Sequence, residues 1–479
     1  MTHVCRYWRN AALADASLWN SFTVRPIDLN NIDSLAVTCL DRSSDVPLDV
    51  QVTPYEYNSQ LLESTWRVLT FDIGRLRRLH IKYIPARDGI DHGGFAQFDE
   101  AAPLLQALKV DYDDYYARFY ASQNNRSKLN LPTLFDGNTP RLQHLEIRTF
   151  ISYSKNRFQN LASLRLFSQD YQLLSEMDRL FQLLEASPML KEVVFRWCTL
   201  PASTVMDPPE YSTTKRIVVL SSLRHLDLHD CSEGFMRCLL AHLELPRDHF
   251  TFSCRDPQFV LANGLLETVT APLAPLTSLQ LIYNKRVEIK AVGSCNVIYI
   301  EASEPLWPPD ADGLDALSRP IIASPSRLFA LRALTELKLA GIDSNTSSEW
   351  YAFFTEMTAL KRVVFYLPPQ IPLKWFAALT PSVIEPSQGA QLQCPAPRLS
   401  ELCIWPFIPT AWPKICSMVN ARAHAGHPLQ LLRIGTLQQD KFHVDGTEVI
   451  FETGYVGAMT GVPEANKSYM TREQSREWT

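Results

Sequence analysis

No stretch of this 479-residue chain approaches the ~20 consecutive apolar residues of a membrane-crossing helix. The opening Met1-Thr2-His3-Val4-Cys5-Arg6 has neither the apolar core nor the small-residue cleavage site of a secretory signal. Glycine is scarce, 17 residues beside 32 prolines, and no Gly-x-Gly-x-x-Gly or Gly-x-x-x-x-Gly-Lys-Ser/Thr occurs, which removes the common phosphate-cradling loops. Gly-x-Ser-x-Gly and His-Glu-x-x-His are also missing, and with them the familiar hydrolase nucleophile and zinc-protease motifs. The 10 cysteines form no Cys-x-x-Cys pair, so they read as free thiols packed in a core. A basic excess is absent: 46 Lys+Arg stand against 51 Asp+Glu, a net charge of −5. A general nucleic-acid binder needs the opposite balance. The expectation is a non-enzymatic protein, cytoplasmic and/or nuclear, with no cofactor, no metal, no nucleic-acid partner and no membrane partner.

The chain does carry a repeat. The pattern apolar-x-x-apolar-x-apolar appears as Leu76, Leu79, Ile81, as Leu105, Leu108, Val110, and as Leu142, Leu145, Ile147. It returns at Leu161, Leu164, Leu166, at Leu190, Val193, Phe195, and at Leu223, Leu226, Leu228. Later copies are Leu276, Leu279, Leu281, then Leu334, Leu337, Leu339, then Leu360, Val363, Phe365, and finally Leu399, Leu402, Ile404. Weaker copies lie at His249–Ser253, Val297–Ile300 and Leu431–Ile434. The last two apolar positions are two apart, the spacing of a strand with one buried face. The first lies three earlier and turns the chain into the strand, often after a proline, as in Thr139-Pro140, Ser187-Pro188 and Ala396-Pro397. Such units cannot bury their own apolar face and must stack. The expected fold is α/β: a leucine-rich-repeat-like solenoid, with a curved, mostly parallel sheet and helices on the outer side.

Several stretches between units carry helical periodicity. Leu173–Ala186 places Leu173, Met177, Leu180, Phe181 and Leu184 on one stripe. Glu233–Leu243 is similar. Thr346-x-x-Glu349 is a capping box ahead of Trp350, Phe353 and Phe354. Ala411–Ala425 opens near Pro413 and stops before Gly426. At the N-terminus, a helix through Val4, Trp8 and Ala12 should shield the first repeat, with Cys5 buried in it. A second helix is expected over Leu29–Leu40, and strands near Phe22–Val24 and Pro47–Val52.

Here the wording resembles a known family. Val4-Cys5-Arg6-Tyr7-Trp8-Arg9, Ala12-Leu13 and Ser17-Leu18-Trp19 look like the C-terminal third of an F-box, N-terminally truncated. Leu40-Asp41-Arg42-Ser43 with Pro47-Leu48 resembles the region after the F-box in mushroom-type fungal F-box proteins with degenerate leucine-rich repeats. Phe181–Phe195 matches their repeat wording. The resemblance implies a substrate-recognition subunit of an SCF-type cullin-RING ubiquitin ligase, with a Skp-type adaptor and an unknown client protein as partners. It also implies adaptor docking through Val4, Trp8, Leu18 and Trp19. An interaction scaffold without ligase recruitment is the alternative. The chain divides into an F-box remnant at 1–24, a linker and capping region at 25–75, the repeat region at 76–454, and a polar tail at 455–479.

Strand positions that alternate with the buried pair line the concave face expected of such a solenoid. The candidate client-binding residues there are His144, Glu146, Arg148, Arg165, Phe167, Arg196, His225, Asp227, His229, Lys338, Tyr366 and Trp405, joined by Arg78, His80, Lys109 and Asp111. Both charge signs beside exposed Phe167, Tyr366 and Trp405 suit protein recognition. His225, Asp227, His229 and Cys231 carry zinc-type donors on one strand face. Residues spaced by two along a strand splay apart, however, so a solvated surface is the preferred reading.

Overall fold

The computed structural model describes residues 5–24, 32–53, 70, 72–83, 98–112, 131, 133–149, 156–201, 216–246, 248–255, 276–283, 286–303, 331–340, 346–366, 374–384, 391–405, 409–435 and 447–452. Val4 and the 455–479 tail lie outside them. The chain forms two compact units, Met1–Ala274 with Cys295–Ala302, and Pro275–Ser294 with Ser303–Thr479.

The strands run β1 (Ser21–Val24), β2 (Leu48–Val52), β3 (Leu76–Tyr83), β4 (Ala107–Tyr112), β5 (His144–Arg148), β6 (Ser163–Phe167) and β7 (Glu192–Arg196). Next come β8 (Val218–Val219), β9 (His225–His229), β10 (Leu243–Glu244), β11 (Thr251–Arg255), β12 (Leu276–Tyr283), β13 (Arg286–Gly293) and β14 (Val297–Ser303). The series closes with β15 (Glu336–Ala340), β16 (Arg362–Tyr366), β17 (Ser382–Ile384), β18 (Gln391–Gln393), β19 (Glu401–Trp405), β20 (Leu431–Gly435) and β21 (Glu448–Glu452). The described helices are α1 (Arg6–Ala14), α2 (Ile32–Ser43), α3 (Leu174–Glu185), α4 (Glu233–Ala241), α5 (Ser347–Glu356), α6 (Lys374–Leu379) and α7 (Trp412–His424). None of the described helices is long and apolar enough to cross a membrane.

In the first unit the sheet is parallel throughout its described pairings, β1-β2-β3-β4-β5-β6-β7-β9-β11-β14. The register places Leu79, Leu108, Leu145, Leu164, Val193, Leu226, Phe252 and Ile298 side by side, each at most 1% exposed. A second row runs Ile81, Val110, Ile147, Leu166, Phe195, Leu228, Cys254, Ile300. In the second unit β12, β15, β16, β19, β20 and β21 pair in parallel, while β13 pairs with β12 antiparallel. There Leu279, Leu337, Val363, Leu402 and Leu432 align. The α/β class and the mostly parallel sheet therefore follow from the repeat. The β13 hairpin does not, because its Arg-Val-Glu-Ile-Lys-Ala-Val-Gly wording alternates with period two and lacks the leading leucine.

In many motifs the leading apolar residue closes a turn. Leu105, Leu142, Leu190, Leu223, Leu334, Leu360 and Leu399 each donate their N–H to the carbonyl three residues earlier, at 3.0–3.2 Å. Pro103, Pro140, Pro188 and Pro397 sit second in four of these turns, where their fixed φ is already correct. The helices cover the apolar side. Phe235 of α4 meets Phe195 edge-on at 5.3 Å, and Trp375 of α6 stacks on Phe365 at 4.7 Å. The capping box holds: the Thr346 N–H donates to Glu349 Oε2 at 2.7 Å and the Glu349 N–H to Thr346 Oγ1 at 3.3 Å. Gly426, φ +79°, ends α7 in the left-handed region.

The N-terminal expectations need correction. No described residue of α1 is buried, and Cys5, expected inside it, is exposed at its cap. The sheet instead begins at β1 and β2, where Val24 and Val50 are buried, as are Ala36, Cys39 and Leu40 of α2. The second helix spans Ile32–Ser43 and so reaches past Leu40.

Because Leu164 is fully buried between Leu145 and Val193, Leu164→Ala should cost roughly 2–5 kcal/mol in chemical denaturation. A loss under about 1 kcal/mol would contradict this packing.

Candidate functional site

Opposite the aliphatic rows, the first unit presents three parallel lines of mostly polar side chains. Near the strand starts the register aligns Arg78, Ala107, His144, Ser163, Glu192 and His225. The middle line is His80, Lys109, Glu146, Arg165, Val194 and Asp227. Near the strand ends stand Lys82, Asp111, Arg148, Phe167, Arg196, His229, Arg255 and Glu301. The expected residues His144, Glu146, Arg148, Arg165, Phe167, Arg196, His225, Asp227 and His229 thus share one face on β5, β6, β7 and β9. Lys338, Tyr366 and Trp405 lie on the corresponding face of the second unit's sheet.

Strand spacing of about 4.8 Å forces opposite charges on neighbouring strands into pairs. Lys109 meets Glu146 at 3.2 Å, Arg165 meets Glu192 at 2.8 Å, and Arg196 meets Asp227 at 3.3 Å. Arg148 Nε reaches both Glu146, 3.3 Å, and Asp111, 3.5 Å. In the second unit Arg362 bridges Glu336 and Glu401, and Glu401 also takes Arg433 at 2.9 Å. Half-exposed pairs of this kind contribute little stability each. Their effect is to hold long side chains in a fixed pattern.

Phe167 is not exposed, contrary to the expectation from alternation. It is 5% exposed because the Arg148 guanidinium lies 4.4 Å from its ring and that of Arg196 5.6 Å away on the other strand. Tyr366 and Trp405 are half-buried. Trp405 lies over Gly435, where an added Cβ would come within 1.9 Å of the indole. Asp227 is buried as well, and Cys231 leaves the face altogether. The cause is Asp230, φ +52°, which turns the chain so that Cys231 points inward and donates to the Phe195 carbonyl at 3.5 Å. His225, Asp227, His229 and Cys231 are therefore not one constellation, and among the described residues no cluster of metal-ligating side chains is found.

The same left-handed bend recurs after β5, β6 and β7, at Thr149, Ser168 and Trp197, φ +70°, +53° and +54°. Each of these residues donates its N–H to the last carbonyl of the next strand, at 2.8–2.9 Å. None is glycine, so no residue type in the sequence signals the bend. A buried Arg422 in the second unit was equally hidden within an apolar-looking helix. Its guanidinium donates to the carbonyls of Leu379, Pro395 and Ala396 at 3.2, 2.8 and 2.9 Å.

Burial shifts three groups on this face, Asp111, His144 and His80. It pushes Asp111 up despite the attraction of Arg148 and Lys109, and pushes His144 down. His80, 5% exposed, falls to about 3 through burial first and then the repulsion of Lys109, Lys82 and Arg148.

At the N-terminus Trp8 is 65% and Leu18 61% exposed. Trp19, by contrast, is anchored: its Nε1 donates to the Ala12 carbonyl at 2.8 Å, and Arg42 lies 4.4 Å from its ring. The chain matches no known family model, and no curated protein resembles it.

His80 gives the face a pH signature. Between pH 6.5, the ordinary histidine value, and about 3, the unfolded chain binds a proton that the native protein refuses, so stability falls as pH drops through that window. His80→Gln should remove about 2 kcal/mol of the stability lost between pH 7 and pH 5. Equal losses in both proteins, followed by urea unfolding, would refute the assignment.

Proposed function

We propose that this chain is the client-binding subunit of an SCF-type cullin-RING ubiquitin ligase, built as a leucine-rich-repeat-like solenoid with an F-box-like segment near its N-terminus. It makes no covalent bond itself. Its role is to hold a client protein on the polar sheet face, opposite the helices, while the N-terminal segment docks on a Skp-type adaptor, which raises the client's effective concentration near the ubiquitin-charged enzyme.

The observation that carries the reading is α1 with its following turn. An amphipathic helix whose every residue stays unburied, presenting Tyr7 at 74%, Trp8 at 65% and Leu18 at 61% exposure, has apolar surface that a partner would cover. The F-box-like wording of the same residues names the partner class. The ion-paired sheet face, with arginines held in order, supports the client side of the proposal.

The competing reading, an interaction scaffold without ligase recruitment, keeps the sheet face and discards the adaptor. Binding of the full chain to a purified Skp-type adaptor separates them. Trp8→Ala and Leu18→Ala should each weaken capture at least tenfold while leaving the melting temperature unchanged, since both side chains are mostly exposed in the native chain. No measurable adaptor binding by the unaltered chain would leave the scaffold reading in its place.

A further inference from the structure

We draw no further inference here: the strongest candidate, the buried thiols Cys198 and Cys231 in the bends that follow β7 and β9, carries nothing, because both already donate to strand carbonyls, burial pushes the Cys198 thiol well above its ordinary range and away from the reactive thiolate, and no cluster of metal-ligating side chains is found among the described residues.

Discussion

Each strand of the first unit's sheet relies on its neighbours for two things at once. The backbone ladder satisfies its N–H and C=O groups, and the same register sets its two aliphatic residues against those next door. A single unit such as Leu164 and Leu166 has nothing to bury against until Leu145, Ile147, Val193 and Phe195 arrive on either side. Slipping one strand by one residue would send its leucines to the polar face. Register is therefore the constraint from which core, face and charge pattern all derive.

That constraint explains why the polar face is an ordered array. Once Leu145, Leu164 and Val193 are aligned, Glu146, Arg165 and Val194 are aligned too, and so are Arg148, Phe167 and Arg196. Charges of opposite sign meet across strands without any motif in the linear sequence. Phe167 becomes buried through the same alignment, since an arginine from each flanking strand arrives over its ring. The face is dry enough at its middle to hold His80 neutral far below its usual pKa.

The left-handed residues after β5, β6, β7 and β9 do a second job. They bend the chain off the sheet and tie each bend to the following strand's last carbonyl. Inward-facing Gln169, Cys198 and Cys231 come next in the chain, each donating to a strand carbonyl. The bend thus closes the strand end with polar bonds inside an otherwise aliphatic stack, which is where a run of unpaired carbonyls would cost most.

The strand positions were legible because apolar spacing of two, preceded by a proline or serine turn three residues earlier, is a local pattern that encodes both the turn and the buried face. The capping box at Thr346 and the stop at Gly426 were legible for the same reason, being set by neighbours within one helical turn. Burial of the alternating face was not: the exposure of Phe167 and Asp227 depends on arginines brought from other strands, and Cys231 turned inward because Asp230 adopts a conformation that its side chain does not announce. Arg422 reads as a solvated charge until carbonyls from residues 379, 395 and 396 gather around it. By itself the sequence determined which residues form strands and which aliphatic pair each strand buries, because those follow from side-chain periodicity. Which side chains meet on the polar face was decided by tertiary structure alone, because a parallel register brings together residues that the chain keeps tens of positions apart.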